Sequence, residues 1–175
     1  MTIMSRMRPS ETDYSKPFAR YVALVPDDDI LSTIEQQSSE TQRLMSALDD
    51  TRAAHRYEPG KWSVKEVVGH IIDAERIFGY RALAISRGDT TALPGFDEND
   101  YVANANFDHW RIGDLAEMYA VARRSTIIFF RNLAPEAWDR RGTASENPIT
   151  VNALAYVIAG HERHHLKILH ERYKL

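Results

Sequence analysis

The stretch Trp62–Gly88, with the sequence WSVKEVVGHIIDAERIFGYRALAISRG, contains the strongest indications of local structure in this chain. Ser63 and Glu66 have the S-x-x-E spacing of a capping box, in which two side chains satisfy backbone N–H groups at a helix start. The apolar residues that follow have the three-and-four spacing of one helix face, and they are Val67, Ile71, Ala74, Phe78, Ala82 and Ile85. Gly88 is a residue type that ends helices. The stretch therefore predicts a helix over about residues 64–87.

Three further segments have helical periodicity, whereas the alternation typical of strands is scarce. The acidic run Asp27–Asp29 favours a helix start, Thr150 is a residue type that caps helices, and Pro135 ends one. We expect these helices over about residues 28–50, 113–133 and 151–173. With the helix over 64–87 they predict an all-α fold, a four-helix bundle.

The connection over residues 88–112 is long for a small domain. It contains Pro94-Gly95 and the acidic residues Asp97, Glu98 and Asp100. At ~3.3 Å per residue, an extended segment of this length can recross a helix that rises ~1.5 Å per residue. We therefore expect a long crossover between the second and third helices, with these two helices parallel.

Size and composition predict one domain. The chain has 175 residues, and we expect a single domain over 1–175 in which residues 1–27 form an N-terminal arm. Hydrophobic residues make up 43% and charged residues 27%, which is a globular mix and excludes a disordered or collagen-like chain. The formal net charge is −3, so no positive field favours a nucleic-acid partner.

Cysteine is absent from the sequence. Its absence excludes disulfides, thiolate metal ligands and a cysteine nucleophile, so any thiol chemistry requires a thiol from outside the chain. The apolar runs are far shorter than the roughly 18 residues of a membrane span, and Met1–Ser10 lacks the apolar stretch of a signal peptide. We therefore expect a soluble cytoplasmic protein without a membrane partner.

Two histidines lie on the apolar face of the fourth predicted helix. His161 and His165 continue the stripe of Leu154 and Ile158 and lie one helical turn apart. Residues four apart differ by about 40° in direction and ~6 Å in rise, so both imidazoles can bind one ion. His70 lies at the edge of the apolar stripe of the second helix. If these helices are neighbours, three neutral imidazoles meet and leave an open position for water or substrate.

The same residues have a structural interpretation. A single half-buried histidine such as His70 is more often hydrogen-bonded than bound to a metal. Spacing leaves both interpretations open, while burial of several imidazoles without partners favours a metal. His164 lies about 60° around the helix from His161, so we expect it at the rim of the site. The remaining histidines are expected to be solvated, and they are His55, His109 and His170.

Residues 161–165, His-Glu-Arg-His-His, also satisfy the zinc-peptidase pattern H-E-x-x-H. Such peptidases need a third protein ligand, which the extended pattern places beyond the second histidine. That pattern requires glycine and histidine where this chain has Ile168 and Glu171. The pattern is therefore a weak indication of a peptidase.

Two roles stay open for Glu162. It is either a surface carboxylate that pairs with Arg163 or Lys167, or a group that supports the metal site or handles protons beside it.

Two longer motifs resemble the DinB-like superfamily. They are KWSVKEVVGH at residues 61–70 and GHERHH at residues 160–165, about 90 residues apart. The segments LPGFDE at 93–98 and LAY at 154–156 are similar to one of its branches. The resemblance covers residues 28–175, and the order of helices, crossover and motifs agrees throughout.

This resemblance implies a four-helix bundle with up-down-down-up topology and a divalent metal ion, zinc or nickel, held by three histidines. Carried onto this chain, the metal ligands are His70, His161 and His165. The superfamily includes S-transferases that use low-molecular-weight thiols such as bacillithiol or mycothiol, a mycothiol-dependent isomerase, and proteins described as metal-dependent hydrolases. The resemblance also implies a homodimer, and it implies a small-molecule substrate.

Two hypotheses from different classes follow. The first is an enzyme of the thiol S-transferase type, with Glu162, His164 or the crossover residues Asp97 and Glu98 moving protons; a hydrolase that uses metal-bound water is its variant. The second is a non-catalytic binding module in which the metal fixes the second helix against the fourth. A coordination position that solvent can reach would favour the enzyme over the binding module.

Overall fold

The computed structural model describes residues 7–175, so the first six residues of the expected N-terminal arm lie outside the described part of the chain. The helices in chain order are α1 Lys16–Val22, α2 Ile30–Ser46, α3 Asp50–Ala53, α4 Val64–Ser86, α5 Glu98–Ala105, α6 Ile112–Arg131 and α7 Val151–Tyr173. The strands β1 Arg141–Ala144 and β2 Asn147–Thr150 form an antiparallel hairpin. Two short 3₁₀ turns cover Phe107–His109 and Pro135–Ala137.

The four long helices α2, α4, α6 and α7 are the four that the sequence predicts. The capping box forms at the start of α4, where the Ser63 hydroxyl accepts from the Glu66 N–H and the Glu66 carboxylate accepts from the Ser63 N–H. Thr150 caps α7 by accepting from the Ala153 N–H at 3.1 Å. The prediction for α2 is wrong at its end, because this helix stops at Ser46 and the single turn α3 follows.

Contacts between α2 and α6 show that these helices are antiparallel. Glu35 near the start of α2 pairs with Arg131 at the end of α6. Asp50, which follows α2, accepts from the Ile112 N–H at the start of α6 at 2.8 Å.

The helices α4 and α6 run parallel, as the long crossover predicts. Lys65 in the first turn of α4 donates to the carbonyl of Trp110, just before α6, at 2.7 Å. Glu75 in the middle of α4 binds Arg123 in the middle of α6.

The last helix, α7, runs antiparallel to α4 and parallel to α2. The Tyr173 hydroxyl at its end donates to the Trp62 carbonyl at the start of α4, at 2.6 Å. Tyr156 near its start binds the Asp27 carbonyl before α2, and Glu162 farther along accepts from Thr41 of α2. These directions give the up-down-down-up four-helix bundle.

Burial differs between the helices. Every residue of α7 from Val151 to Glu162 is buried, as expected for a helix that is enclosed on all sides. The sequence predicts an apolar stripe on α6 that includes Met118 and Ala122, but these two residues are only partly buried. The buried face of α6 is rotated from this stripe and includes Tyr119 and Arg123. No helix within residues 7–175 is long and apolar enough to cross a membrane.

The sequence analysis did not predict α1, α5 or the β-hairpin. The helices α1 and α5 have seven and eight residues and each strand has four, so their periodicity is too brief to distinguish them from loops. Tertiary contacts stabilise them instead, and α1 packs along α7 while α5 packs on α4.

Candidate metal centre

Three histidines from two helices converge inside the bundle. His70 of α4 faces His161 and His165 of α7, and the Nε2 atoms of His70 and His161 are 3.0 Å apart. One ring nitrogen from each of the three residues lies within 4.8 Å of the other two. The ring centroids are 4.9 Å apart for His70 and His161, 4.7 Å for His70 and His165, and 4.6 Å for His161 and His165. The antiparallel α4 and α7 therefore place these side chains where one ion could bind all three.

A glycine precedes the core histidine on each helix, and another segment packs directly on it. A Cβ atom at Gly69 would lie 2.4 Å from the ring of Phe107 in the crossover. A Cβ atom at Gly160 would lie 2.0 Å from the carbonyl oxygen of Tyr21 in α1. Because both contacts are too short for any side chain, the glycines let the crossover and α1 approach the helices beside the histidines.

Aromatic side chains surround the cluster. The ring of Trp62 lies 5.0 Å from that of His70, and the rings of Tyr21 and Phe78 lie 5.3 Å and 5.7 Å from that of His161. His70 and His161 are each 5% exposed, whereas His165 is only partly buried. The cluster is thus dry on its inner side and accessible on the side of His165.

Burial keeps these imidazoles neutral. It lowers the pKa of His70 to about 4 and that of His165 to about 3, and it holds the pKa of His161 well below the usual value. Neutral imidazoles have the lone pairs that metal ions require.

The donor set fits a divalent transition metal. The buried Nδ1 of His70 has no hydrogen-bond partner, which is costly in a core and unusual for a structural histidine. Within residues 7–175 no cysteine, carboxylate or fourth histidine joins the three to form a closed four-ligand site. Three imidazole ligands suit zinc or nickel and leave room for a further ligand.

Glu162 lies beside His161 in the chain but belongs to a different polar region. It is 1% exposed, so the interpretation as a surface carboxylate paired with Arg163 or Lys167 is wrong. Its carboxylate accepts hydrogen bonds from Thr41 of α2 at 2.7 Å, from Gln37 of α2 at 3.0 Å and from the Tyr119 hydroxyl of α6.

A buried arginine connects Glu162 to α4. Arg123 is fully buried, and its Nη1 atom forms an ion pair with a Glu162 oxygen at 2.8 Å without a hydrogen bond. Its Nε and Nη2 atoms donate to the carboxylate of Glu75 at 2.8 to 3.1 Å. We name Gln37, Thr41, Glu75, Tyr119, Arg123 and Glu162 the carboxylate network. It connects all four long helices through charge-assisted hydrogen bonds.

The other residues named from the sequence lie at the edges of the site. His164 is partly buried at the rim, with its ring 5.0 Å from that of His165 and 6.0 Å from that of Tyr21. Asp97 caps α5 by accepting from two backbone N–H groups. Glu98, the first residue of α5, is exposed, and its charge opposes the lowering of the pKa of His70.

Three histidines are exposed, as predicted, and they are His55, His109 and His170.

The sequence analysis missed the aromatic wall and the carboxylate network. Tyr119 and Arg123 are four residues apart on α6, a spacing that indicates a shared face, but an arginine on such a face is normally at the surface. Tyr21 lies in the arm that has no long periodic pattern.

A helical bundle with three converging histidines is the class of protein that fold and site define. The sequence profile of the DinB superfamily matches residues 33–169, and the chain belongs to this superfamily. The match covers both histidine motifs and leaves α1 outside.

Individual relatives agree with this assignment. A protein of Oceanobacillus iheyensis named "putative metal-dependent hydrolase" is 23% identical over 143 residues, which cover 79% of this chain and 82% of the relative. YfiT from Bacillus subtilis, described as a probable metal-dependent hydrolase with an unusual four-helix bundle topology, superposes with a TM-score of 0.75 at 16% identity. That superposition covers 98% of this chain and 94% of YfiT.

A mycothiol-dependent maleylpyruvate isomerase has a similar fold. It superposes with a TM-score of 0.66 at 12% identity, over 81% of this chain and 60% of the isomerase. At these identities the two structures demonstrate a shared fold and nothing further.

Proposed function

We propose that this protein is a metal-dependent enzyme of the thiol S-transferase type, in which His70, His161 and His165 hold a zinc or nickel ion and a small molecule is the substrate. The observation that carries the proposal is the convergence of three neutral imidazoles, one of which has a buried nitrogen without a partner. A divalent ion at this place supplies a Lewis acid that stabilises the thiolate form of an external thiol.

The residues of the chain have separate roles in this proposal. The aromatic rings of Trp62, Tyr21 and Phe78 exclude water from the inner side of the cluster. His164 is a neutral imidazole at the accessible rim, because burial lowers its pKa, and it can accept the proton that a thiol releases.

Of the two roles considered for Glu162, its contacts favour support of the site. Its oxygens are engaged by Thr41, Gln37, Tyr119 and Arg123, so the carboxylate fixes the rotation of α7, and with it His161, against α2 and α6. A low-molecular-weight thiol as cosubstrate, a homodimeric assembly and a cytoplasmic location complete the proposal.

A metal-dependent hydrolase is the second candidate. It is favoured by the names of the Oceanobacillus iheyensis relative and of YfiT. The occupied carboxylate of Glu162 speaks against a hydrolase of the H-E-x-x-H peptidase type, in which this residue must be free to act as a base.

The first experiment measures the metal and its ligands. Elemental analysis of the untagged protein should find close to one zinc or nickel ion per chain, and His70→Ala, His161→Ala and His165→Ala should each remove most of it. The matched control His164→Ala should retain the metal. Equal metal content in all five proteins would refute the ligand assignment.

The second experiment separates the candidate functions. In cobalt-substituted protein, an external thiol that binds the metal should add a sulfur-to-cobalt charge-transfer band, which strengthens as rising pH forms thiolate. A spectrum that no thiol changes, combined with rapid water exchange at the metal, would favour the hydrolase. If neither thiol nor water reaches the ion, the non-catalytic binding module is correct.

A further inference from the structure

A cationic corner lies beside the metal centre on the N-terminal helix. Arg20 and Tyr21 are neighbours in α1, and the Arg20 Nη2 atom donates to the Tyr21 hydroxyl at 2.6 Å. The guanidinium carbon of Arg20 also lies over the Tyr21 ring, 4.6 Å from its centroid. Two contacts thus hold the guanidinium against the phenol.

This pair reaches the site. The Tyr21 ring contacts both His161 and His164 edge-on, with centroids 5.3 Å and 6.0 Å away. Because Arg20 contacts both the hydroxyl and the ring of Tyr21, its guanidinium is held on the side of the site that His164 borders.

The position of α1 is fixed by the backbone. The Tyr21 carbonyl occupies the space that a side chain at Gly160 would need, and Phe18 and Val22 of α1 are buried in the core. Arg20 is exposed, and the helix that carries it is packed closely against α7.

The donors of the corner remain available for a ligand. The Tyr21 hydroxyl accepts from Arg20, so its own hydrogen is free to be donated, and within residues 7–175 Arg20 has no carboxylate partner. A planar guanidinium and a phenol are suited to bind a carboxylate by charge-assisted hydrogen bonds.

We propose that Arg20 and Tyr21 form an anion-binding corner that selects small molecules with a carboxylate group next to the metal centre. The inference rests on the proposed function and deepens it, because it names the chemical class of the ligand. The carboxylate can belong to the thiol cosubstrate or to the acceptor substrate. The helix α1 that carries both residues lies outside the residues that match the superfamily profile.

The test compares ligands that differ only in charge. Cobalt-substituted protein is titrated with 3-mercaptopropionate and with its neutral amide, 3-mercaptopropionamide, and the charge-transfer band gives both dissociation constants. We expect the carboxylate to bind about tenfold more tightly in the wild type, which is the effect of one charge-assisted hydrogen bond. The variant Arg20→Gln should lose this preference, Tyr21→Phe should reduce it, and Arg20→Lys should retain part of it. The matched control Arg124→Gln, at an exposed arginine of α6, should keep it in full.

A second arm needs neither a thiol nor a metal. Propionate and propionamide are titrated into the protein as purified, and backbone amide shifts of Arg20, Tyr21 and His164 are followed by NMR. Propionate alone should shift these amides in the wild type, and Arg20→Gln should abolish the effect. A preference for carboxylate in this arm only assigns the corner to the acceptor substrate, whereas a preference in both arms includes the thiol.

The outcomes separate the inference from the proposed function. If neither thiol produces a band in the wild type, the thiol chemistry is wrong and the propionate arm still decides about Arg20. If charged and neutral probes bind equally in both arms, or if Arg20→Gln behaves as the wild type, the inference is overturned while the metal centre stands.

Discussion

His161 and Glu162 are neighbours on α7, and their side chains enter two polar regions of the bundle that are built in opposite ways. Glu162 joins the carboxylate network, in which its two oxygens are engaged by Thr41, Gln37, Tyr119 and Arg123. His161 joins a cluster of imidazoles that have each other as polar neighbours and aromatic rings as a wall.

The carboxylate network supports the fold, whereas the histidine cluster is the candidate metal site. In the carboxylate network every charge has an opposite charge beside it, although Gln37 Oε1 and Arg123 Nη1 have no hydrogen-bond partner. Removal of one member of such a buried ion pair is strongly destabilising. Buried polar nitrogen without a partner costs free energy and is retained where it has another purpose. Glu75, Arg123 and Glu162 are fully buried and their charges are paired, whereas His165 is partly exposed and the imidazoles are neutral.

The largest expected effect is that of breaking the carboxylate network. Arg123→Met leaves the buried carboxylates of Glu75 and Glu162 without their cation, so we expect the free energy of unfolding to fall by about 3–5 kcal/mol. Chemical denaturation measures the change. The control Arg131→Met breaks an exposed ion pair with Glu35 and should cost less than about 1 kcal/mol. Similar losses in the two variants would contradict the supporting role of the network.

The next effect concerns the ligand of the histidine cluster. Removal of the metal by a chelator should lower the free energy of unfolding by ~4 kcal/mol. This value applies where the concentration of free ion was about a thousandfold above the dissociation constant of the site. The chelator should have no effect on His161→Ala and its full effect on the control His164→Ala. Thermal unfolding with and without chelator measures this difference, and a chelator effect that persists in His161→Ala would place the ion elsewhere.

A third effect appears in the metal-free protein as the pH falls. The folded-state pKa of His70 is about 4 and that of His165 about 3, below the usual value of 6.5, so the unfolded chain binds more protons in this range. Stability should therefore be full above about pH 6.5 and decrease as the pH falls toward 4, by up to about 1.4 kcal/mol per pH unit for each histidine. Denaturation at several pH values should give a shallower slope for His70→Gln and an unchanged slope for His55→Gln. An equal slope in both variants would mean that folding does not lower the pKa of His70.

The smallest expected effect lies outside both polar regions. Ser63→Ala removes the cap of α4 and should lower the free energy of unfolding by roughly 0.5–2 kcal/mol. Metal content per folded chain should not change, because the cap lies at the end of the helix and the cluster farther along it. Ser125→Ala, at an exposed position of α6, is the control, and a cap variant as stable as this control would show that the capping box contributes nothing.

The sequence by itself determined the four long helices and the three histidines. Periodicity and caps are local, so Ser63, Glu66 and Thr150 mark helix starts wherever the helices later pack. The spacing of His161 and His165 is likewise fixed by one helix. Only the approach of α4 brings His70 to them. The sequence analysis left that approach as a condition, since the long crossover predicted only that α4 and α6 are parallel.

Tertiary structure alone decided the surroundings of these residues. Glu75, Arg123 and Glu162 have the composition of a solvated helix surface, and each is buried because a partner arrives from another helix. Tyr21 lies beside His161 because Gly160 has no side chain and so leaves room for the Tyr21 carbonyl. The sequence around Tyr21 gives no indication of this contact. The periodicity around a residue indicates which neighbours on its own helix share its face. The partner that makes burial of a charge favourable lies far away in the chain, and only the packing of the whole bundle specifies it.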